Sequence, residues 1–156
     1  MNVQLVIRDA GYRRYPTAPT AVALRYEDLP SVVELDCPTR DGATAMKLAA
    51  WADRAAPRDL CDLFGLARIG AITTDALELA ASAAWPIQAH HFDDARMPSQ
   101  QVWRTALGHQ MRQPPDRHVT FAEVRTTVAH PGKRAGLPSL PYSFPPDSAE
   151  TRRSAR

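Results

Sequence analysis

Residues 47–63 read KLAAWADRAAPRDLCDL and concentrate charged side chains in two short segments that a proline separates. Lys47 and Arg54 are seven residues apart, so a helix with about 3.6 residues per turn places both on one face. Pro57 is favoured in the first turn of a helix, because its missing N–H would have no partner there. The stretch therefore predicts a helical hairpin whose second helix begins near Pro57.

The second helix places Asp59 and Asp62 on one side, three residues apart. The helix dipole favours carboxylates in the first turn, so we expect Asp59 to cap this helix. The apolar stripe of the helix consists of Leu60, Leu63, Phe64 and Ala67.

The charges of the hairpin allow two interpretations. In the first they form structural ion pairs, Arg54 with Asp59 and Arg58 with Asp62, which are commoner than catalytic clusters. In the second, Lys47 and Arg54 converge on one concave surface as a cationic site, with Lys47 unpaired and pointing into that surface. Spacing alone favours the ion pairs. Structural pairing predicts that Lys47 lies on the outside of its helix or is fully engaged by a carboxylate such as Asp53 or Glu34, and head groups on opposite sides of the helix would exclude a shared site.

The composition is that of one globular domain. The chain has 156 residues, of which 44% are hydrophobic and 23% charged, enough for a single modest core. No apolar run approaches the roughly 18 residues of a membrane helix, and no signal-peptide pattern is present, so we expect a cytoplasmic protein without membrane contact. Cys37 and Cys61 are too few for a disulfide framework and lack zinc-site spacing, so we predict two buried thiols and no metal ligands.

The net charge differs between the two parts of the sequence on either side of residue 130. Residues 131–156 contain five basic residues, two acidic residues and five prolines, a charge of +3, which leaves −1 of the total of +2 for residues 1–130. A nearly neutral body argues against broad, phosphate-driven binding of nucleic acid. We predict one domain over residues 1–130 and a disordered tail over residues 131–156.

The segments before the hairpin resemble short strands and a loop. The predicted strands are residues 3–7, 20–26 and 31–37, and the predicted loop is residues 11–19. Glu34 and Asp36 share one face of the third strand, a spacing that can hold magnesium, but we prefer a half-exposed strand with one polar face.

Helix-start signals predict the remaining elements. The expected N-caps are Thr39 or Asp41, Thr73 or Thr74, and Thr120. Glu123 follows Thr120 at the spacing of a capping box. The fourth helix, residues 100–111, should bury Val102, Trp103, Ala106, Leu107 and Gln110. His90 and His91 are adjacent and cannot both face one metal from regular structure, so we predict a polar loop there.

Several blocks of the sequence resemble one protein family. They are Lys47-Leu48-x-Ala50, Arg54 with Arg58-Asp59-Leu60-x-Asp62-Leu63, Leu66-Ala67-x-x-Gly70-Ala71-Ile72, and Trp103-x-x-x-Leu107-Gly108-His109-Gln110. In this order, over about residues 20–130, they resemble the C-terminal half of the AbiEii/AbiGii family of nucleotidyltransferase toxins. Separate blocks in the right order arise by chance less often than one short motif.

The resemblance implies a fold and an activity. Family members have a small mixed sheet that carries the metal site, followed by a helical half, so we expect an α+β chain with a β-strand segment before its helices. They are the toxins of toxin–antitoxin pairs that defend against phage by abortive infection. Characterised relatives transfer a nucleotide from a nucleoside triphosphate to an acceptor such as tRNA. A cognate antitoxin is the implied protein partner, and magnesium is the metal of intact members.

The resemblance also implies residue roles. Lys47 and Arg54 would bind the nucleotide by neutralising triphosphate charge. Asp59 would be catalytic, completing the acidic site or orienting the acceptor hydroxyl. Asp62 would hold the hairpin together.

The sequence departs from the family pattern in one respect. It contains neither the Gly-Ser turn nor the Asp-x-Asp pair that holds magnesium in the family. We therefore expect a shortened member that is inactive as given, whether through a misplaced start codon or through degeneration. The alternative is a small, non-catalytic binding module that contacts an antitoxin or another protein.

Overall fold

The computed structural model describes residues 15–23, 32–83 and 85–132 of the chain. Within them an antiparallel hairpin precedes five α-helices, which confirms the expected α+β organisation. The strands are β1 (Thr17–Ala23) and β2 (Val32–Pro38). The helices are α1 (Arg40–Arg54), α2 (Pro57–Arg68), α3 (Thr74–Ser82), α4 (Gln100–Leu107) and α5 (Arg117–Ala129). The predicted strand at residues 3–7 and the tail after residue 132 lie outside the described residues.

The β-hairpin pairs Thr17 with Pro38 at one end and Ala23 with Val32 at the other. β1 begins earlier than predicted, so the loop assignment was wrong for residues 17–19. Proline is tolerated in this strand because each strand of a two-stranded sheet has an open edge. The predicted end of the strand, residues 24–26, lies outside the described part.

The core lies among the helices, where α2 packs against α1, α4 and α5 while α1 also packs against α3. Trp51 of α1 is fully buried, with its ring centroid 6.1 Å from that of Phe92 and 6.2 Å from that of Phe121. Its indole Nε1 donates a hydrogen bond to the carbonyl of His91 at 2.9 Å. Other buried members of this core are Leu48, Leu60, Leu63, Ile72, Trp103, Leu107 and Val124. The stripe predicted for α2 is therefore confirmed as core, with Phe64 at its half-buried margin.

Most helix starts follow the sequence signals. Thr39 caps α1 and accepts from the backbone N–H of Gly42 at 3.1 Å. Thr73 caps α3 in the same way. Proline opens α2, as predicted. These ends were predictable because a hydroxyl or a proline acts within one turn of its own position.

The last two helices differ from the prediction. α5 begins three residues before Thr120, because Asp116 accepts from the N–H groups of His118 and Val119 and takes the cap position. The backbone hydrogen bond from Val119, with that from His118, lowers the pKa of Asp116. α4 ends at Leu107 rather than at residue 111. Val102 and Gln110, both predicted to face inward, are exposed, Val102 by 50%.

Of the two cysteines, Cys61 is buried as predicted and Cys37 only half-buried. Burial raises the pKa of the Cys61 thiol, and the charge of Asp62 adds to this effect. None of the helices in the described residues combines the length and the apolarity that crossing a membrane requires.

Two glycines give a matched stability test. A Cβ at Gly42 would lie 2.8 Å from the carbonyl oxygen of Pro16 and 3.2 Å from Thr39 Oγ1. At Gly65, in the second half of α2, no described atom other than the adjacent backbone of the helix itself lies within 4 Å of that position. We expect Gly42→Ala to lower the free energy of unfolding by about 1–3 kcal/mol and Gly65→Ala to raise it by up to about 1 kcal/mol. Urea unfolding measures both, and a stable Gly42→Ala variant would contradict the close approach of Pro16.

Glu123 of α5 faces the protein interior. Both of its carboxylate oxygens are buried, and neither has a hydrogen-bond partner among the described residues. Burial raises the pKa of Glu123, and the charge of Arg68 offsets only part of this rise. The folded state therefore binds the carboxyl proton of Glu123 more tightly than the unfolded chain does.

This raised pKa predicts a pH dependence. The penalty for ionising Glu123 is absent below its unfolded pKa of about 4.3 and grows as the pH rises through the higher folded pKa. Glu123→Gln should therefore increase stability at neutral pH relative to pH 4, as measured by urea unfolding across this range. Glu78→Gln, at an exposed position of α3, is the control. Parallel pH profiles for the two variants would show that the Glu123 carboxylate is solvated.

Candidate functional site

The charged hairpin is built by a tight turn between α1 and α2. Ala55 adopts the left-handed conformation, φ 49° and ψ 38°, and its N–H donates to the carbonyl of Trp51 at 2.9 Å. Arg96 donates from Nη2 to the carbonyls of Trp51 at 3.0 Å and Ala52 at 2.7 Å. A cation at these carbonyls is favourable at the C-terminus of a helix. The end of α1, which carries Arg54, is thereby fixed.

Asp59 is the centre of the site. Its side chain is 1% exposed, and it accepts two hydrogen bonds from Arg54, Nε to Oδ2 at 2.7 Å and Nη2 to Oδ1 at 3.0 Å. Lys47 Nζ lies 3.7 Å from Asp59 Oδ1. The head groups of Lys47 and Arg54 therefore converge on one buried carboxylate, as expected, but they do so as ion pairs. Arg54 and Asp59 form the pair that the structural interpretation predicted, and Lys47 is not unpaired as the shared-site interpretation required.

The predicted capping role of Asp59 is wrong. The N-cap of α2 is Ala56, whose side chain carries no acceptor, and Asp59 donates its backbone N–H to the Ala56 carbonyl at 3.0 Å. The carboxylate turns instead to Arg54, because a bidentate, charge-assisted pair is stronger than one hydrogen bond to a backbone N–H.

Lys47 also binds Asp62, with Nζ 2.6 Å from Oδ2, and the two side chains are 40% and 49% exposed. Partial burial alone would lower the pKa of Lys47. The hydrogen bond to Asp62 and the charges of Asp62 and Asp59 outweigh this, so the pKa of Lys47 is raised above its usual value. Lys47 is therefore a cation at neutral pH, and Asp62 joins α1 to α2 as expected.

The predicted pair of Arg58 with Asp62 does not form. Arg58 instead reaches the end of α4, where its Nε lies 3.4 Å from the carbonyl of Ala106 and its Nη2 lies 3.4 Å from His109 Nε2. Gln110 joins them when its amide oxygen faces the guanidinium, with Oε1 2.9 Å from Arg58 Nε.

The described residues do not fit a magnesium ion. No three His, Cys, Asp or Glu side chains among them are grouped so that they could hold a metal. At the hairpin, Arg54 and Lys47 already occupy the oxygens of Asp59, and Asp62 contacts Lys47. His90 and His91 lie in a short 3-10 turn, where His91 Nδ1 accepts from the backbone N–H of Gln88 at 3.0 Å.

A family model matches this chain over residues 1–130: the nucleotidyl transferase AbiEii toxin of type IV toxin–antitoxin systems. The chain belongs to the AbiEii nucleotidyltransferase toxin family. Membership implies a cognate antitoxin. No curated protein and no solved structure matches the chain.

For a member of the AbiEii family, the hairpin is the natural candidate site. The structure brings together all three residues that the sequence singled out, Lys47, Arg54 and Asp59. Their functional roles stay predictions. Sequence reasoning missed the contacts of Arg58 and Arg96, because their partners lie more than 40 residues away along the chain and no local pattern encodes such a contact.

The burial of Asp59 predicts unequal costs for its two cations. Arg54→Ala leaves a buried carboxylate without its bidentate partner and should lower the free energy of unfolding by about 2 kcal/mol. That figure is below the roughly 3–5 kcal/mol lost when a fully buried pair is broken, because Arg54 is itself 61% exposed. Lys47→Ala removes a half-exposed pair and should cost less than about 1 kcal/mol. Urea unfolding measures both, and equal small losses would mean that Arg54 does not anchor Asp59.

Proposed function

We propose that this chain binds the triphosphate of a nucleoside triphosphate through Lys47 and Arg54, and that it does not by itself transfer the nucleotide to an acceptor such as tRNA. The observation that carries this proposal is the convergence of both cations on the buried Asp59 carboxylate. Two head groups held at one carboxylate are preorganised for an anionic group, since no side-chain ordering remains to oppose binding.

Asp59 acts in this proposal as a positioning residue. Its carboxylate is 1% exposed and holds the guanidinium of Arg54 at two points. A group so enclosed reaches solvent or substrate poorly, whereas Arg54 and Lys47 are both substantially exposed. This geometry supports a role in aiming the two cations rather than direct contact with the acceptor.

Asp62 sets the affinity of the site. The two cations are balanced by two carboxylates, so the cluster has no net charge to attract phosphate from a distance. Asp62 is half-exposed, and an exposed ion pair is typically worth less than about 1 kcal/mol. A phosphate group can therefore replace Asp62 on Lys47 at small cost, while the buried Asp59 stays in place.

The residues that the structure describes supply no group of ligands for magnesium. The Asp-x-Asp pair is absent from the sequence, and the described carboxylates at the hairpin are engaged by cations. We therefore assign binding and orientation of the triphosphate to this polypeptide, and no transfer step.

The proposal predicts opposite effects of two neighbouring substitutions. Lys47→Ala should weaken binding of tripolyphosphate by more than about tenfold, since a charge-assisted contact is lost. Asp62→Asn should strengthen it by up to about fivefold, because it removes the competing carboxylate. Isothermal titration calorimetry in magnesium-free, low-salt buffer measures both affinities.

Arg104→Ala is the matched control for this titration, because Arg104 is an exposed cation on α4 outside the cluster. Its affinity should stay within about twofold of the parent chain. Equal weakening by Arg104→Ala and Lys47→Ala would show that only overall charge matters. A parent chain that does not bind tripolyphosphate would overturn the proposed function.

The missing metal pair predicts that the polypeptide alone transfers no nucleotide. Incubation with labelled nucleoside triphosphates, magnesium and total tRNA should leave the RNA unlabelled. Metal-dependent labelling that Lys47→Ala abolishes would contradict this expectation and would assign catalysis to this chain.

A further inference from the structure

The β-hairpin has two outer edges, and its prolines determine which residues face them. In an antiparallel pair, the backbone N–H and C=O groups of successive residues point alternately to the partner strand and away from it. Pro19 and Pro38 have no N–H, and Thr39 donates its N–H to the Pro16 carbonyl at 2.9 Å, one residue beyond the paired strands. The directly hydrogen-bonded pairs are therefore Ala18–Cys37, Thr20–Leu35 and Val22–Val33.

The remaining residues point their backbone groups outward, and the two outer edges differ. On β1, Pro19 lies in the middle of the outer edge and interrupts its row of N–H donors, which hinders the pairing of another strand. On β2, Glu34 and Asp36 are successive outward residues with both N–H and C=O groups, and Pro38 lies only at the end. In the described part of the chain, β1 is the only strand that pairs with β2. The outer edge of β2 is therefore open to an added strand.

The side chains along the outer edge of β2 restrict which strand can pair with it. Glu34 and Asp36 are exposed on one face, and neither takes part in an ion pair within the described residues. Leu35 lies between them on the other face and is 50% exposed. Directly opposed residues of opposite charge stabilise a sheet, and like charges destabilise it. The complementary strand therefore carries a cation, an apolar residue and a second cation in succession.

The same residues disfavour a second copy of the chain at this edge. Antiparallel pairing of two β2 strands about Leu35 would place Glu34 of each copy opposite Asp36 of the other, and these charges repel. Pairing of β2 with β1 of another copy would meet the interruption at Pro19. The two carboxylates also repel the phosphates of a nucleic acid. A basic segment of another protein meets none of these obstacles.

We propose that the outer edge of β2 binds an extended, basic segment of another protein by strand addition. The main-chain groups of Glu34 and Asp36 hydrogen-bond to two basic residues of the added strand, and their carboxylates pair with the two cationic side chains. Leu35 contacts the apolar residue between them. Neither Lys47 nor Arg54 takes part, so this inference does not depend on nucleotide binding.

Fluorescence anisotropy tests the inference with the full chain and two labelled peptides, one alternating lysine with valine and the other glutamate with valine. Each is about nine residues long, within the usual range of strand lengths. The lysine–valine peptide should bind at least about tenfold more tightly, because Glu34 and Asp36 attract its side chains and repel those of the other peptide.

A modified peptide separates strand addition from attraction of charges alone. Methylation of the backbone nitrogens of the lysines keeps the charge but removes the N–H groups that would pair with the carbonyls of Glu34 and Asp36. Binding should weaken by about tenfold or more. Equal binding of the methylated and unmethylated peptides would overturn strand addition.

Charge reversal on the protein is the second test. Glu34→Lys combined with Asp36→Lys should reverse the preference, so that the glutamate–valine peptide binds more tightly. Asp75→Lys combined with Glu78→Lys, at two exposed carboxylates of α3, is the matched control and should leave the preference unchanged. Equal changes in the two double variants, or a parent chain that binds neither peptide, would overturn the proposal. A dimer in sedimentation equilibrium that Asp36→Pro dissociates would assign the edge to a second copy and would also overturn it.

Discussion

The ion pair between Asp59 and Arg54 is the constraint on which the hairpin depends. Moving a carboxylate out of water costs several kcal/mol unless paired donors offset the loss. Asp59 is 1% exposed and receives two hydrogen bonds from Arg54, so the turn between the helices must bring these residues together. The left-handed conformation of Ala55 and the proline that opens α2 provide that reversal.

The same constraint shapes the exposed surface. Because the buried Asp59 carboxylate binds the Arg54 guanidinium, that guanidinium is held in one position at the surface rather than moving freely in solvent. Lys47 joins the cluster between the buried Asp59 and the half-exposed Asp62. The outcome is a pair of cations in fixed positions beside one half-exposed carboxylate. This arrangement supports an anion-binding role for a member of the AbiEii family.

Local signals in the sequence predicted the helix starts well. Thr39, Thr73 and Pro57 act within one turn of their own positions, so short-range chemistry determines their effect. The start of α5 was misplaced because Asp116, a stronger capping residue than Thr120, lies one turn earlier. The convergence of the hairpin cations was predictable from their seven-residue spacing on α1.

Contacts between distant segments were not predictable. The Asp59 carboxylate could cap the N-terminus of α2 or pair with a cation on α1. The geometry of the turn between the two helices determines which of these contacts it makes. Arg58 and Arg96 find acceptors at the ends of other helices, which depends on how α4 and the 3-10 turns pack.

The coupling free energy between Arg54 and Asp59 tests the central claim most directly. A double-mutant cycle of Arg54→Ala and Asp59→Ala, measured by urea unfolding, should give a coupling of at least about 1 kcal/mol. A control cycle of Arg104→Ala with Asp59→Ala should be additive within about 0.5 kcal/mol. Additive losses of unfolding free energy for Arg54→Ala and Asp59→Ala would contradict this claim. They would mean that the buried Asp59 carboxylate is stabilised without Arg54.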